Sequence, residues 1–211
     1  MACVLSDMRP RVVLHSLTGA SPAQAVFVAL AIARLDEALA VPGFRAALAG
    51  ADYTATCWSP AEGPGCALTA ADVAERVAGG RERGSAPDAT LDLALNLIDL
   101  PGPASGRQVL GSTMLGTLPV NTARWFIEMC ASAGDAVNLA SHFAHEWCHV
   151  SGFYHWPDNK ARGDVAYVVG RLVREMLEPR YASEIVPAIT TLMHDRETDC
   201  GCRGNPPDRT E

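Results

Sequence analysis

The chain has 211 residues, enough to bury the core of one domain, and its 48% hydrophobic and 19% charged residues are typical of a folded globular protein. The net charge of −7 and the pI near 5.3 argue against nucleic acid as a partner. The longest apolar run, residues 23–33, is too short to span a bilayer, and the N-terminus lacks the basic and apolar segments of a signal peptide.

The first part of the chain predicts alternating strands and helices. Valines and a leucine at 12–14 indicate a strand over residues 11–17, and Ser21-Pro22 then caps a long amphipathic helix over residues 23–39. Residues 52–58 alternate in the manner of a half-buried strand. Thr69 caps a second helix that runs to Ala78 and ends at two glycines.

The middle of the chain predicts further strands. Residues 89–100 place leucines at every second position and form the clearest strand of the sequence. Residues 109–121 contain short extended pieces separated by glycines, and Pro119 favours an edge strand over residues 116–121. Residues 125–129 either continue this strand or turn into a short helix.

The last part of the chain predicts mainly helices. A helix begins after Asp135, and another covers residues 164–177, with a short one at 185–193. We therefore expect a single α+β domain over residues 1–197, with a twisted mixed sheet packed on helices, followed by a polar tail over residues 198–211. The predicted buried face of the helix after Asp135 comprises Val137, Ala140, Phe143, Ala144 and Trp147.

The same helix carries the pattern H-E-x-x-H-x-x-G-x-x-H. His145 and His149 are four residues apart, so both imidazoles project from one helical face and can reach a single Zn²⁺. Gly152 can end the helix in a left-handed turn that returns His155 to the same ion, while Glu146 can contact a metal-bound water. Three imidazoles, one open position and an adjacent carboxylate predict a catalytic zinc site rather than a structural one.

This pattern is the zinc-binding signature of the metzincin clan of metallopeptidases, which residues 145–155 match at every defined position. The chain also resembles small bacterial zincin-like proteins without a propeptide, through Asn121 and the segment Asp164-Val165-Ala166-Tyr167. The resemblance implies a zincin-like fold with an active-site helix, and Zn²⁺ as the cofactor. It also implies that His145, His149 and His155 are the zinc ligands and that Glu146 is the general base.

The segment after the motif leaves alternatives open. Val165 stands where metzincins have the methionine of a turn beneath the zinc, and Tyr167 either helps to stabilise an oxyanion or packs at the start of a helix. Aspzincin peptidases use an aspartate in a similar context, so Asp164 is the alternative to His155 as third ligand, or else a helix cap. His142 lies two turns before His149 and is expected beside the site or at its rim.

The resulting hypothesis is a zinc-dependent metalloendopeptidase, a monomer that binds an extended peptide along the edge strand at 116–121 and neither nucleic acid nor membrane. The alternative is a non-proteolytic zinc-binding interaction protein derived from a peptidase fold; a hydrolase of a non-peptide amide is a third. Among seven cysteines, Cys148 is expected in the core, whereas Cys57 and Cys66 can pair in an oxidising compartment. The last two, Cys200 and Cys202, are either exposed thiols or a metal-binding or redox appendage.

Overall fold

The computed structural model describes residues 9–58, 68–106, 108–155 and 163–177. Within these ranges it contains six helices and a four-stranded mixed sheet, which agrees with the expected α+β class. The strands are β1 (Arg11–Thr18), β2 (Thr90–Ile98), β3 (Gly111–Thr113) and β4 (Val120–Ala123). The helices are α1 (Pro22–Ala40), α2 (Phe44–Gly50), α3 (Ala70–Ala78), α4 (Arg124–Ala133), α5 (Ala136–Val150) and α6 (Val165–Leu177).

The sheet has the order β1-β2-β4-β3, in which β3 alone runs antiparallel to its neighbour. The leucines of β2 are buried on the face that packs on the helices, as the alternation of the sequence predicts. The other face carries a polar row across all four strands, in which Thr18 donates to Asn96, Asn96 to Asn121, and Asn121 to Ser112. The two faces therefore fix which side of the sheet the helices cover.

Helix α5 lies at the centre of the molecule, between α1 and α6 and against the sheet. The Asp135 carboxylate caps it by accepting the backbone N–H of Asn138 at 2.9 Å. All five residues predicted for its buried face are buried, but burial extends around the whole helix and leaves only His145 half-buried. A helix enclosed on all sides is typical of the core of a domain, so its polar residues need specific partners.

Two sequence predictions about strands are wrong. Residues 52–58 form no strand. They make two isolated bridges, between Ala55 and Asp164 and between Trp58 and Phe153, because they pair with the residue before α6 and the turn after α5 instead of the sheet. The predicted edge at 116–121 is also not an edge. Its last residues begin β4, which lies between β2 and β3, and Pro119 stands just before that strand, where it occupies no ladder position.

The remaining predicted elements match or lie outside the described ranges. Residues 125–129 belong to helix α4, which decides between the two alternatives for that stretch. The predicted helix at 185–193 and the tail at 198–211 lie outside the described residues. None of the described helices combines the length and the apolar character that crossing a bilayer requires.

Candidate metal centre

Three histidines meet at the C-terminal end of α5. His145 and His149 lie one turn apart on the helix, and Gly152, with φ 103°, turns the chain so that His155 returns to them. One ligand nitrogen from each ring lies within 4.8 Å of the other two, and the ring centroids are 4.7–5.3 Å apart. This cluster, which we call the histidine triad, could hold a metal ion.

Each ring of the triad is held by a hydrogen bond from outside the cluster. Nδ1 of His149 lies 2.7 Å from the carbonyl oxygen of Phe153, and Nδ1 of His155 pairs with a carboxylate oxygen of Asp164. His145 hydrogen-bonds to the backbone of Ala166. Because a carbonyl oxygen only accepts, His149 must donate from Nδ1, which leaves the lone pair on its Nε2. Such outer partners are typical of metal-binding histidines.

The triad fits a metal ion on two further grounds. Nε2 of His155 is buried and has no hydrogen-bond partner among the described residues, so a cation at the centre of the triad would satisfy it. Burial lowers the pKa of His145 well below its usual range, and the neighbouring imidazoles of His149 and His155 lower it further. The ring is therefore neutral at physiological pH, which is the form that binds a metal.

Asp164 lies behind His155 and is not a member of the triad. Its Oδ2 pairs with Nδ1 of His155, and its Oδ1 accepts the backbone N–H of Tyr167 at 3.1 Å, in the position of an N-cap for α6. Of the two alternatives for a third ligand, the structure thus brings His155 into the cluster. It places Asp164 in contact with His155 and at the N-cap of α6, which is the capping role that the sequence also allowed.

The ring of Tyr167 packs against the triad. Its centroid lies 4.7 Å from that of His145 and 5.1 Å from that of His155. Val165, the residue at the expected methionine position, is buried at the start of α6. The segment 164–167 therefore touches the triad through Asp164, the backbone of Ala166 and the Tyr167 ring, and it forms one wall of the site.

Glu146 projects from α5 towards the edge strand β3. Its side chain is 1% exposed, and its Oε2 accepts a hydrogen bond from Oγ1 of Thr113 at 2.7 Å. Its Oε1 lies 3.9 Å from Nδ1 of His142. Gly111 lies so close that an added Cβ would come within 2.9 Å of Oε1. The first and last residues of β3 thus enclose the carboxylate.

His142 lies outside the triad, in the layer beneath Glu146. Its ring packs edge-on against Phe126 with centroids 5.1 Å apart, and Nε2 lies 3.4 Å from Oγ1 of Thr122. Burial and the nearby His149 lower the pKa of His142 from 6.5 to about 3, so the ring is neutral. It is 5% exposed, which agrees with a place beside the site and excludes one at an open rim.

Sequence reasoning missed Thr113 and Gly111. Both lie in a three-residue strand, and their contacts with Glu146 cross from the sheet to α5, so no periodicity or spacing in the chain marks them. Cys148 is buried as expected, and burial raises its pKa well above the usual range, so its thiol stays protonated. In the possible Cys57–Cys66 pair, Cys66 lies outside the described ranges, as do Cys200 and Cys202.

The chain was compared with protein families, curated proteins and solved structures. No family model, curated protein or solved structure matches it. The geometry of the triad and of the residues around it is therefore the basis for a proposed function.

Proposed function

We propose that this protein is a zinc-dependent metallopeptidase with a zincin-like fold, in which His145, His149 and His155 bind Zn²⁺. The observation that carries the proposal is the triad: three imidazoles converge within 4.8 Å of one another, and each ring is held by an outer hydrogen bond. Neutral imidazole nitrogens are ligands that zinc favours, and three protein ligands leave a position for water or substrate.

The residues around the triad supply the parts that amide hydrolysis needs. Bound zinc would acidify a water molecule and polarise the carbonyl group under attack. Glu146 is the general base: its carboxylate takes a proton from the attacking water and passes it to the departing amine. The Thr113 hydroxyl holds this carboxylate in place through its 2.7 Å hydrogen bond. The ring of Tyr167 packs on His145 and His155, and this contact supports Tyr167 as the phenol that would help to stabilise the oxyanion.

The edge strand β3 is the proposed binding strand for an extended peptide. In the antiparallel pair with β4, Leu110 accepts from Ala123 and Ser112 lies opposite Asn121, so the alternation of the ladder turns the backbone groups of Gly111 and Thr113 away from β4. These outward groups are the ones with which a peptide can pair. Since both residues also enclose Glu146, a peptide on this edge would lie beside the proposed base.

One observation favours a second candidate, a zinc-binding protein without proteolytic activity. Glu146 is 1% exposed, and Gly111 and Thr113 are buried as well, so the proposed base and the outward edge of β3 are largely shielded from water. A peptide would have to displace part of this cover to reach them. The two candidates share the metal site and differ in whether Glu146 acts on a substrate.

The replacement Glu146→Gln separates the two candidates. We expect the variant to keep its zinc and to lose peptide hydrolysis by about 10²- to 10⁴-fold, because the amide cannot accept the proton from water. The measurement is the digestion of a peptide library, with and without chelator, alongside the zinc content of each protein. Wild-type zinc without chelator-sensitive cleavage would favour the non-proteolytic candidate, and full cleavage by the variant would exclude Glu146 as the base.

A matched control is Glu82→Gln. The Glu82 carboxylate also contacts α5, but through the indole N–H of Trp147 at 3.1 Å rather than beside the triad. Glu82→Gln replaces the same kind of side chain next to the same helix. Because Glu82 does not lie beside the triad, the variant should leave both zinc content and cleavage unchanged. A loss of cleavage in this control would mean that the effect of Glu146→Gln reflects general damage to α5.

A further inference from the structure

We propose that Asp164 is a positioning residue that sets the metal affinity of the triad, because one carboxylate both fixes the ring of His155 and caps helix α6. The inference rests on the metal-binding part of the proposed function and does not depend on peptide hydrolysis. It also gives Asp164 a role different from that of a metal ligand, since its oxygens face His155 and the backbone of Tyr167.

The contact with His155 determines which ring nitrogen is available to a metal. Both side chains are almost fully buried, at 2% exposed for His155 and 3% for Asp164, so water does not compete for the pair. A carboxylate oxygen accepts, and the ring must therefore donate from Nδ1. In the neutral ring, which is the form that binds a metal, Nε2 then carries the lone pair. This is the buried nitrogen of His155 that has no hydrogen-bond partner in the described part of the chain.

The second oxygen of Asp164 connects the same ligand to α6. Oδ1 accepts the N–H of Tyr167. The backbone of Gly163 and Asp164 pairs with residues between α2 and α3: the N–H of Thr54 donates to the carbonyl of Gly163 at 2.8 Å, and Ala55 bridges to Asp164. The first turn of α6 in turn supplies the backbone partner of His145 and the Tyr167 ring. A displaced Asp164 would thus disturb the support of two of the three ligands.

An amide in place of the carboxylate cannot satisfy both contacts. In Asp164→Asn the side-chain oxygen can keep the cap, but the NH₂ group then faces Nδ1 of His155 and favours the tautomer with hydrogen on Nε2. In that tautomer Nε2 has no lone pair for a metal. In the flipped arrangement the oxygen accepts from His155, and the NH₂ group opposes the N–H of Tyr167. Asparagine caps helices about as well as aspartate, so the fold itself should tolerate the change.

The experiment compares Asp164→Asn with Asp135→Asn by competition for zinc against a chromophoric chelator. Asp135 is the matched control because it is also a buried N-cap, 6% exposed, and it caps α5 without contacting a histidine of the triad. We expect zinc affinity to fall about 10- to 100-fold in Asp164→Asn and to stay unchanged in Asp135→Asn. Equal affinity of wild type and Asp164→Asn would overturn the inference while leaving the proposed zinc site intact. A wild type without zinc affinity would overturn both.

A second measurement tests the inference without metal. Nitrogen-15 NMR of the metal-free protein distinguishes the two neutral tautomers of His155, which can be assigned with a His155→Gln variant. We expect hydrogen on Nδ1 in the wild type and a shift towards hydrogen on Nε2 in Asp164→Asn. A wild type with hydrogen on Nε2 would contradict the proposed role of Asp164. This wild-type result requires neither a folded Asp164→Asn variant nor an active enzyme.

Discussion

The hydrogen bond between Thr113 and Glu146 should be one of the stronger single polar contacts in the domain. Thr113→Val keeps the shape of the side chain and removes the hydroxyl that lies 2.7 Å from Oε2 of Glu146. Both residues are 1% exposed, so water cannot easily replace the lost donor. Leaving a buried acceptor without its donor costs about 1–3 kcal/mol of unfolding free energy. For a domain of this size the melting temperature should fall by about 2–12 °C.

The assay is chemical and thermal unfolding of the metal-free protein at neutral pH, with chelator present so that zinc does not contribute. Thr122→Val is the matched control, because Thr122 is also fully buried and also faces a side chain of α5. Its contact with the neutral ring of His142 is longer, at 3.4 Å, so its removal should cost less than about 1 kcal/mol. Equal destabilisation by the two variants would show that the Thr113 hydroxyl makes no special contribution by holding the carboxyl group of Glu146.

Two further predictions concern the surroundings of the triad. Burial lowers the pKa of His142 from 6.5 to about 3. Between these two pH values the unfolded chain binds a proton that the folded chain excludes, so the free energy of unfolding falls as the pH is lowered. In the metal-free protein, His142→Gln should flatten this pH dependence by about 1.4 kcal/mol per pH unit, and an unchanged slope would show that the histidine charges in the fold. Gly170→Val should separate α6 from α5, because even a Cβ would lie 3.0 Å from the carbonyl oxygen of Ser141. We expect a loss of about 1–3 kcal/mol in denaturant titration and weaker zinc binding, whereas Gly50→Val, where an added Cβ meets no atom within 4 Å, should leave zinc binding unchanged; equal effects would contradict the close packing.

The triad could be predicted from the sequence because its geometry is local. His145 and His149 are related by the helical repeat, and Gly152 has the positive φ that returns His155 to them. All of these residues lie within eleven positions, so the spacing alone determines their relative placement. The strong alternation of β2 was predictable for the same reason, since a period of two needs no knowledge of partners.

The contacts that cross between elements could not be predicted. Residues 52–58 alternate like a strand, yet they pair with the turn after α5 and with the residue before α6. The alternation of a segment does not determine which segment it pairs with. Pro119 suggested an edge, but it lies just outside the interior strand β4, and the edge strand on that side of the sheet is β3. The hydrogen bond of Thr113 to Glu146 joins residues 33 positions apart, so no pattern of neighbouring residues predicts it.

Asp164 shows how a sequence alternative changes once geometry is known. The motif spacing and the aspartate context made His155 and Asp164 competitors for one coordination position. In the structure the two side chains contact each other, so the aspartate supports the histidine instead of replacing it. The position of Asp164 just before α6 could be read from the chain, whereas the direction of its carboxylate depends on how α6 packs on α5.

The metal content and coordination of the purified protein test most directly whether the histidine triad binds zinc. X-ray absorption at the zinc edge, with elemental analysis, should show one zinc ion per chain with three imidazole ligands at about 2.0–2.1 Å. His149→Ala, which removes a ligand of the triad, should abolish stoichiometric zinc, while His142→Gln should retain it. A protein that takes up no zinc, or a zinc ion bound equally well after His149→Ala, would show that the triad is not a zinc site.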